Sequence, residues 1–422
     1  MTDIIDVIPP EQEPTVAETQ DQPSWLDRSL VSLTTWNWEK AAWTALLIVA
    51  LVIRVVALNN RTASHDESEH AWFAYNLFTG AGYQHSPVYH GPFAYHVLAL
   101  FYLLFGVSDV TARLPTALFG VGIVWLIWFM RPWIGRFGAF FAALMVTISP
   151  ALLHYARHTR HDTFEIFFAV LLLIAVFRYL ADNERSAHWL YIGAAALSFM
   201  LAIKEVAFID GAVLGLFLVL VILYRWQGWR LKRDYPDEER EAPLASTSRS
   251  DWLVLVGGIV LSMVGVAVFR LLGLADAGAD ALNTGIKLAV LIAPPLIAIV
   301  MAGLYVRRRE NDEIQPAFGV ATDAVVLLAT LILPWLSPFL IKALGYDPLN
   351  YTTGIMASFS VVAALVGVAA VVGLLWNARR WLVAAAIFTG IFVVFFTTFF
   401  TNGQGVATGV VGSLGHWLSQ QE

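Results

Sequence analysis

Long apolar runs dominate the chain from residue 41 onward. A bilayer-spanning helix needs roughly twenty predominantly apolar residues, and most of the runs are close to that length. They lie at about 41–60, 112–130, 137–153, 163–181, 188–203, 206–224, 252–272, 284–306, 319–344, 352–376 and 381–400. The pattern predicts an all-α polytopic membrane protein with about eleven transmembrane helices.

The composition supports this prediction. Of the 422 residues 58% are hydrophobic and only 14% are charged, and the mean hydropathy is +0.66. A soluble domain carries a larger charged fraction. The chain has no cysteine, which excludes disulfides and thiolate metal sites.

Three segments stand apart from the apolar runs. Residues 1–22 are acidic without a basic residue, which predicts a disordered tail rather than a signal peptide. Residues 23–40 place apolar side chains at helical spacing, which predicts an amphipathic helix in the membrane interface. Residues 226–251 mix charge with Pro and Ser and predict a cytoplasmic linker loop. The linker separates a module at 41–225, with its first outer loop at 61–111, from a C-terminal transmembrane module at 252–422.

The distribution of basic residues predicts the orientation. With a cytoplasmic N-terminus, 17 of the 26 Lys and Arg residues fall in inner segments. Positive charge is enriched in cytoplasmic loops, so this orientation is favoured. We expect a multi-pass protein of the cytoplasmic membrane with its N-terminus inside.

The first outer loop carries a concentrated acidic motif, "SHDESEHAWFAYNL", at 64–77. Ser64 and Glu67 have the spacing of a capping box, which is the structural alternative to a catalytic role for Glu67. Capping leaves Asp66 without an assignment. A carboxylate at the membrane boundary that does not cap a helix is a candidate general base.

The segment "SPALLHYARHTRHDTFEIFF" at 149–168 concentrates basic residues. If one helix continues through it, one face carries His154, Arg157, His158 and His161, with Arg160 and Asp162 beside that face. Guanidinium groups bind phosphate through parallel hydrogen bonds, so a phosphate site is predicted. Lipid headgroup binding is the alternative, and Asp162 could instead begin a helix.

Two further outer positions carry charge at or near apolar runs. Arg113 precedes a span, where it could bind substrate or extend to the interface. Lys204 and Glu205 interrupt an apolar stretch, where they could serve a site or form a structural ion pair.

Several enzyme motifs are missing from the sequence. It contains no P-loop, no GxGxxG followed by an acid, no HExxH, and no GxSxG at a strand-to-helix turn. Neither a nucleotide site nor a nucleic-acid partner is expected. The histidine spacing is a weak metal signal.

The outer motifs, taken in order, resemble a known superfamily. Arg54, Asp66-Glu67, "ARLPTALFG", "SPALLHYARHTRHD" and "KE" resemble the GT-C membrane glycosyltransferases that use a polyprenyl-phosphate sugar. Within them the chain is similar to glycosyltransferase family 39, which includes protein mannosyltransferases and aminoarabinose transferases. It is most similar to a prokaryotic flippase-activity-associated group linked to N-glycosylation. The motifs cover about residues 40–225.

The resemblance implies a GT-C-like bundle with a helical first outer loop, and it implies roles for particular residues. Asp66, Glu67 and Asp162 match the catalytic positions. Residues near the donor phosphate are Arg54, His90, Arg113, Arg157, His158, Arg160, Lys204 and Glu205. Two departures are the "HGPF" at 90–93, where relatives often carry a basic residue and two prolines, and the end of the chain soon after the last run. From the latter we expect a truncated form or one without a C-terminal acceptor-recognition part.

The implied activity is transfer of a sugar from a polyprenyl-phosphate donor to a protein or lipid acceptor at the outer face. An acidic residue of the first outer loop would act as base. Membrane lipids are further partners, and a divalent cation is left open as a cofactor. The alternative is a non-catalytic accessory protein or transporter for lipid-linked sugars.

Overall fold

The computed structural model describes residues 37–182, 184–234, 316–351 and 355–420. Every regular element in these ranges is helical, which confirms the all-α class. The chain divides into two units, residues 1–45 and 46–422. In the first, the structure describes Asn37 and the start of helix α1. Helices α2 to α14 lie in the second.

The helices of the described ranges are numbered in chain order. In chain order they are α1 (Trp38–Val55), α2 (His65–Thr79), α3 (Phe93–Phe105), α4 (Asp109–Ile127), α5 (Arg131–Ile148), α6 (Pro150–Ala156), α7 (Asp162–Ala181), α8 (Ala187–Leu201), α9 (Val206–Asp234), α10 (Pro316–Ile332), α11 (Ser337–Ala343), α12 (Ile355–Phe396), α13 (Gly405–Ala407) and α14 (Ser413–Ser419). Short 3₁₀ turns lie at Pro87–Tyr89, Trp128–Met130 and Leu333–Leu336, and a π-helical turn lies at Thr408–Gly412.

Within the described ranges, five helical stretches are long and apolar enough to cross a membrane, so the chain is a multi-pass membrane protein. They are Asp109–Ile148, Asp162–Ala181, Val206–Tyr224, Val320–Ala343 and Met356–Phe396. The first and last have 40 and 41 residues, about twice what one crossing needs. Each is broken by a non-helical residue, Gly135 (φ 74°) and Asn377 (φ −161°). The breaks fall between the paired runs predicted from the sequence.

The predicted count of eleven spans stays a prediction. The runs at 252–272 and 284–306 lie outside the described residues, as do the tail at 1–22, most of the predicted interfacial helix and most of the linker. Helix α9 continues to Asp234, beyond the predicted start of the linker. Helix α3, in the first outer loop, was not among the predicted spans, although the helical character predicted for that loop is confirmed.

Aromatic packing around Phe93 holds the start of α3 in the bundle. Its ring lies 5.3–6.1 Å, centroid to centroid, from five other phenylalanine rings. These come from α4, α7, α8 and α12: Phe119, Phe164, Phe168, Phe199 and Phe395. Most of the pairs are edge-to-face, the geometry that aromatic quadrupoles favour. The segment just before Phe93 is therefore anchored.

A buried carboxylate joins three helices far from this aromatic cluster. Asp323 of α10 accepts a hydrogen bond from the Tyr179 hydroxyl (2.6 Å) and another from the Trp376 indole N–H (2.7 Å). Arg380 donates to the same Tyr179 oxygen at 3.1 Å. Because each partner satisfies a polar group away from water, the cluster stabilises the packing of α7, α10 and α12.

We expect Asp323→Ala to lower the free energy of unfolding by about 1–3 kcal/mol, because Tyr179 and Trp376 would keep buried donors without an acceptor. Thermal unfolding of the purified protein in detergent measures this. The exposed Glu184→Gln is the matched control and should change stability little. Equal stability of Asp323→Ala and the parent would show that the cluster does not hold the three helices.

Candidate functional site

Helix α2 begins with the predicted capping box. The Ser64 hydroxyl accepts a hydrogen bond from the Glu67 backbone N–H, and the Ser64 N–H donates to Glu67 Oε2 at 3.1 Å. Glu67 is 3% exposed, although it lies in the first turn of a helix in a charged segment. The cap explains the start of the helix but not the burial of the carboxylate.

The burial of Glu67 is explained by cationic and backbone donors from distant segments. Arg113 donates through Nε to Oε1 (3.0 Å) and through a terminal nitrogen to Oε2 (3.3 Å). Arg61 (2.7 Å) and the Thr159 backbone N–H (3.1 Å) donate to Oε1. Arg113 is 1% exposed and also donates to the Leu58 carbonyl. One carboxylate thus joins the segment after α1, the start of α2, α4 and the loop at 157–161.

These donors set the ionisation of Glu67. Burial alone would raise its pKa, but the hydrogen bonds from Arg113, the Ser64 and Thr159 backbone amides and Arg61 lower the pKa to about 2. The carboxylate is therefore ionised at neutral pH. Its oxygens are fully engaged as acceptors, which suits a group that holds the loop together.

Asp66, next to Glu67, belongs to a second network that is open to solvent. Its carboxylate contacts Arg160 at 2.7 Å, and its side chain is 45% exposed. Arg160 also contacts Asp162 at 3.3 Å, and Asp162 accepts from Lys204 at 2.8 Å. The four side chains form a line of alternating charge from α2 to the start of α9. We call Asp66, Arg160, Asp162 and Lys204 the charge relay line.

His90 and Glu205 form a pair beside this line. His90 Nδ1 lies 2.8 Å from Glu205 Oε2. The pairing depends on backbone contacts, because the Gly91 N–H donates to the Ile203 carbonyl at 3.0 Å and the Phe93 N–H to the Ala202 carbonyl at 2.9 Å. The residues before α3 are thereby docked against those just before Lys204.

A buried imidazole, that of His161, lies behind this pair. Its Nε2 donates to the Gly91 carbonyl at 3.2 Å, and its ring lies 5.3 Å from the His90 ring and 4.7 Å from the His70 ring. Burial lowers the pKa of His161 well below the ordinary value, and burial lowers that of His70 to about 4. Both rings are neutral at physiological pH, so they pack without adding charge to the site.

A cavity of about 220 Å³ opens beside Lys204, Glu205 and His90. Apolar side chains make up most of the remaining wall, contributed by the 3₁₀ turn, by α9 and by α14. They include Pro87, Val88, Val206, Phe208, Ile209, Leu414 and Trp417. A wall that combines a few charged side chains with a mainly apolar lining suits a ligand with an anionic head and a lipid-like tail.

Four of the residues predicted to lie near the donor phosphate instead bind backbone carbonyls or Glu67. Arg54 is 1% exposed and donates to the Ala50 and Val146 carbonyls. Arg157 donates to the carbonyls that follow the end of α1, including Val56 and Ala57. His158 Nδ1 donates to the His154 carbonyl, and Arg113 binds Glu67. The charge relay line, His90 and Glu205 are brought together, whereas these four support the surrounding helices.

No single helix continues through His161, so the condition for one basic face is not met and the predicted face is wrong. Helix α6 ends at Ala156, and α7 begins at Asp162. The intervening turn is fixed by Thr159, whose N–H binds Glu67 and whose hydroxyl donates to the Ala112 carbonyl at 3.0 Å. The turn separates Arg157 and His158 from Arg160, so the basic residues do not share one face.

Sequence reasoning missed several contributors. Arg61 and Thr159 bind Glu67, and Leu414 and Trp417 line the cavity. The role of Arg61 could have been suspected from the sequence, because Arg61 is a basic residue six positions before the candidate acid Glu67. The cavity residues had none, because their proximity depends on how α14 packs.

The described residues contain no group of three or more His, Asp or Glu side chains placed to hold a metal ion. Glu205 lines the cavity and pairs with His90, and Asp66 and Asp162 both contact Arg160. A cation bound by the two aspartates would compete with that guanidinium.

The low pKa of Glu67 predicts acid sensitivity. A carboxyl whose pKa falls from 4.5 to about 2 on folding stabilises the protein above pH 4.5, on the order of 3 kcal/mol. That contribution is lost as the pH falls from about 4.5 to about 2. We expect Glu67→Gln to be much less stable than the parent at neutral pH, with the difference shrinking as the pH falls. Thermal unfolding against pH in detergent measures it.

Glu69→Gln is the matched control, because Glu69 pairs only loosely with the exposed His65 at 3.7 Å. It should leave the pH dependence of stability unchanged. A stability difference between Glu67→Gln and the parent that is constant over the whole pH range would contradict the assigned ionisation.

A family model for dolichyl-phosphate-mannose-protein mannosyltransferases matches residues 89–235. This range contains most of the charge relay line, the His90–Glu205 pair and α3 to α9. No curated protein matches the chain. The match covers about a third of the chain and confirms there the resemblance seen in the sequence.

Matches to solved structures were also found. ArnT from Cupriavidus metallidurans bound to undecaprenyl phosphate is 20% identical, with 88% of this chain and 78% of that chain covered and a TM-score of 0.37. The apo state of the same protein has a TM-score of 0.39 at the same identity and coverage. The Archaeoglobus fulgidus oligosaccharyltransferase complex with Zn and sulfate is 13% identical, with 88% and 52% covered and a TM-score of 0.39. Over residues 89–235, the chain is thus similar to the dolichyl-phosphate-mannose-protein mannosyltransferase family.

Proposed function

We propose that this protein transfers a sugar from a polyprenyl-phosphate donor to a protein or lipid acceptor, at the outer face of the cytoplasmic membrane. One observation carries the proposal: Lys204, the last member of the charge relay line, lines a cavity whose walls are mainly apolar. A lipid-linked sugar phosphate has the matching distribution of charge and apolar surface. The matched family model, named for a lipid-phosphate sugar, supports the same donor class.

The donor phosphate is assigned to the end of the cavity beside Lys204. Lys204 is 20% exposed and Arg160 is 36% exposed, so a ligand can reach both cations. The first prenyl units would pack on Val206, Ile209 and Trp417. The sugar would then lie toward Asp66, at the solvent-exposed end of the charge relay line.

Binding of the donor changes the partners of these cations. Arg160 already contacts Asp66 and Asp162, and Lys204 contacts Asp162. An incoming phosphate competes with these carboxylates for the same donors. When Arg160 turns to the phosphate, the Asp66 carboxylate leaves its ion pair and is free to accept a hydrogen bond from the acceptor. Donor binding thus precedes activation of the acceptor.

The reaction then needs a base on one side of the sugar and charge stabilisation on the other. Asp66 takes the proton of the acceptor as its oxygen or nitrogen attacks the anomeric carbon. The bond from that carbon to the phosphate oxygen breaks, and its electron pair stays on the phosphate. Lys204 and Arg160 stabilise the added negative charge, while Asp162 keeps both cations in position. Glu67, with its oxygens engaged, positions α2 and hence Asp66.

We expect Asp66→Asn to lower the rate of sugar transfer by a factor of about 100 or more, because an amide cannot accept the acceptor's proton. Membranes containing the intact chain or the variant are supplied with a panel of radiolabelled polyprenyl-phosphate sugars, and labelled acceptor is counted. Glu69→Gln, an acidic residue one turn along α2, is the matched control and should retain transfer. Retained transfer in Asp66→Asn would remove Asp66 as the base. Absence of transfer by the parent with every donor would favour an accessory or transport role.

If the donor phosphate displaces Asp66 from Arg160, Asp66→Asn should bind polyprenyl phosphate more tightly than the parent, by up to about fivefold. An exposed ion pair costs up to about 1 kcal/mol to break, and the variant has no such pair. Lys204→Gln should bind more weakly, because a cation is removed from the phosphate site. The dissociation constant of undecaprenyl phosphate in detergent measures both. Unchanged or weaker binding by Asp66→Asn would contradict the exchange.

A further inference from the structure

His90 has an unusual backbone conformation. Its φ is 66° and its ψ is −165°, a combination adopted almost only by glycine. A side chain in this region is strained, and such strain concentrates at functional sites where surrounding contacts hold it. The residue that follows is a glycine, yet the strained position itself carries an imidazole.

Contacts on both sides hold the strained conformation. The His90 carbonyl accepts a hydrogen bond from His85 Nε2 at 3.1 Å, and His85 Nδ1 lies 2.8 Å from the Thr408 hydroxyl. On the other side, a Cβ on Gly91 would lie 2.1 Å from the Ala202 carbonyl oxygen, so the two backbones touch. The backbone is therefore fixed so that the ring of His90 reaches Glu205.

The pairing with Glu205 orients the imidazole. The Nδ1–H of His90 donates to the Glu205 carboxylate, which is 16% exposed. Within the described part of the chain Nε2 has no hydrogen-bond partner, and the ring, 35% exposed, lines the cavity together with Lys204. A carboxylate that holds one ring nitrogen and leaves the other toward the substrate is an arrangement suited to proton transfer.

The groups that face His90 come from several elements. Glu205 and Lys204 precede α9, the neutral His161 ring lies before α7, and His85 binds the His90 carbonyl. His416 of α14 lies on the wall of the same cavity. Of these groups only Glu205 is acidic, and its carboxylate contacts the imidazole directly at 2.8 Å.

We propose that His90 is the acid that protonates the departing phosphate, with Glu205 as its positioning residue. This assignment rests on the proposed function. In the donor, the bridging phosphate carries one negative charge. When the bond to the anomeric carbon breaks, the phosphate would become a doubly charged monoester beside apolar walls. A proton from His90 Nε2 keeps it singly charged.

The acceptor's proton goes to Asp66, and the acceptor atom forms the new bond to the anomeric carbon. The electron pair of the broken carbon–oxygen bond remains on the phosphate oxygen, which receives the proton from His90. The products are the glycosylated acceptor and a lipid hydrogen phosphate. Afterwards Asp66 releases a proton to water, and His90 takes one from water.

The test uses His90→Gly in the 422-residue chain. Sugar transfer is measured in membranes supplied with radiolabelled polyprenyl-phosphate sugars. Glycine removes the strain as well as the imidazole, so we expect thermal stability to be equal to or higher than that of the parent. We expect kcat to fall by a factor of about 100 or more, with a much smaller change in KM. A merely structural role would instead lower stability and activity together. His90→Gln, which keeps a side chain of similar size, should lose activity as well.

Added imidazole distinguishes an acid from a base. The deleted ring leaves room beside the cavity, so we expect imidazole to restore transfer in His90→Gly, more at about pH 6 than at about pH 8, where less imidazolium is present. Glu205→Gln should lower kcat without rescue. His65→Gln is the matched control, since His65 also faces a glutamate, at 3.7 Å, but is 86% exposed and outside the cavity.

Three results would overturn the assignment. They are turnover by His90→Gly within twofold of the parent, rescue that is stronger at about pH 8, and equal losses in His65→Gln and His90→Gly. In each case the proposed function would still be supported if the parent transfers sugar and Asp66→Asn does not. Absence of transfer by the parent would overturn the proposed function and the role of His90 in it together.

Discussion

A carboxylate can remain ionised in a protein interior only where positive charges and N–H groups surround it. Glu67 meets this requirement through Arg113, Arg61 and two backbone amides, which come from separate segments of the chain. Removing any one partner of such a cluster leaves a buried charge unsatisfied, so its members are interdependent. The position of Asp66, one residue away, depends on this cluster, as does the turn that carries Arg160.

Beside this rigid cluster lies a more exposed set of ion pairs. Arg113, buried and held by Glu67 and the Leu58 carbonyl, is not available to a ligand. Arg160 and Lys204 are partly exposed, and their contacts with Asp66 and Asp162 involve groups that solvent can reach. Because exposed ion pairs are weak, a phosphate can replace a carboxylate at moderate cost. The protein thus combines a fixed frame with cations that can exchange partners.

Sequence patterns predicted much of this arrangement. Apolar run length located the described spans, and the spacing of Ser64 and Glu67 predicted the cap at the start of α2. The contact of Asp162 with Lys204, and that of His90 with Glu205, could not be predicted from spacing, since each joins segments brought together by tertiary packing. The predicted face of basic residues failed for a related reason. The Thr159 amide is bound by a carboxylate 92 positions away, and the helix breaks there.

A structure of the protein with bound undecaprenyl phosphate, determined by electron cryo-microscopy, would test the proposed donor site most directly. We expect phosphate oxygens within hydrogen-bonding distance of Lys204 and Arg160, with the first prenyl units against Trp417. We also expect the 2.7 Å contact between Asp66 and Arg160 to be broken. A lipid phosphate bound elsewhere, with that contact intact, would contradict the proposed site and the exchange of partners on which the mechanism depends.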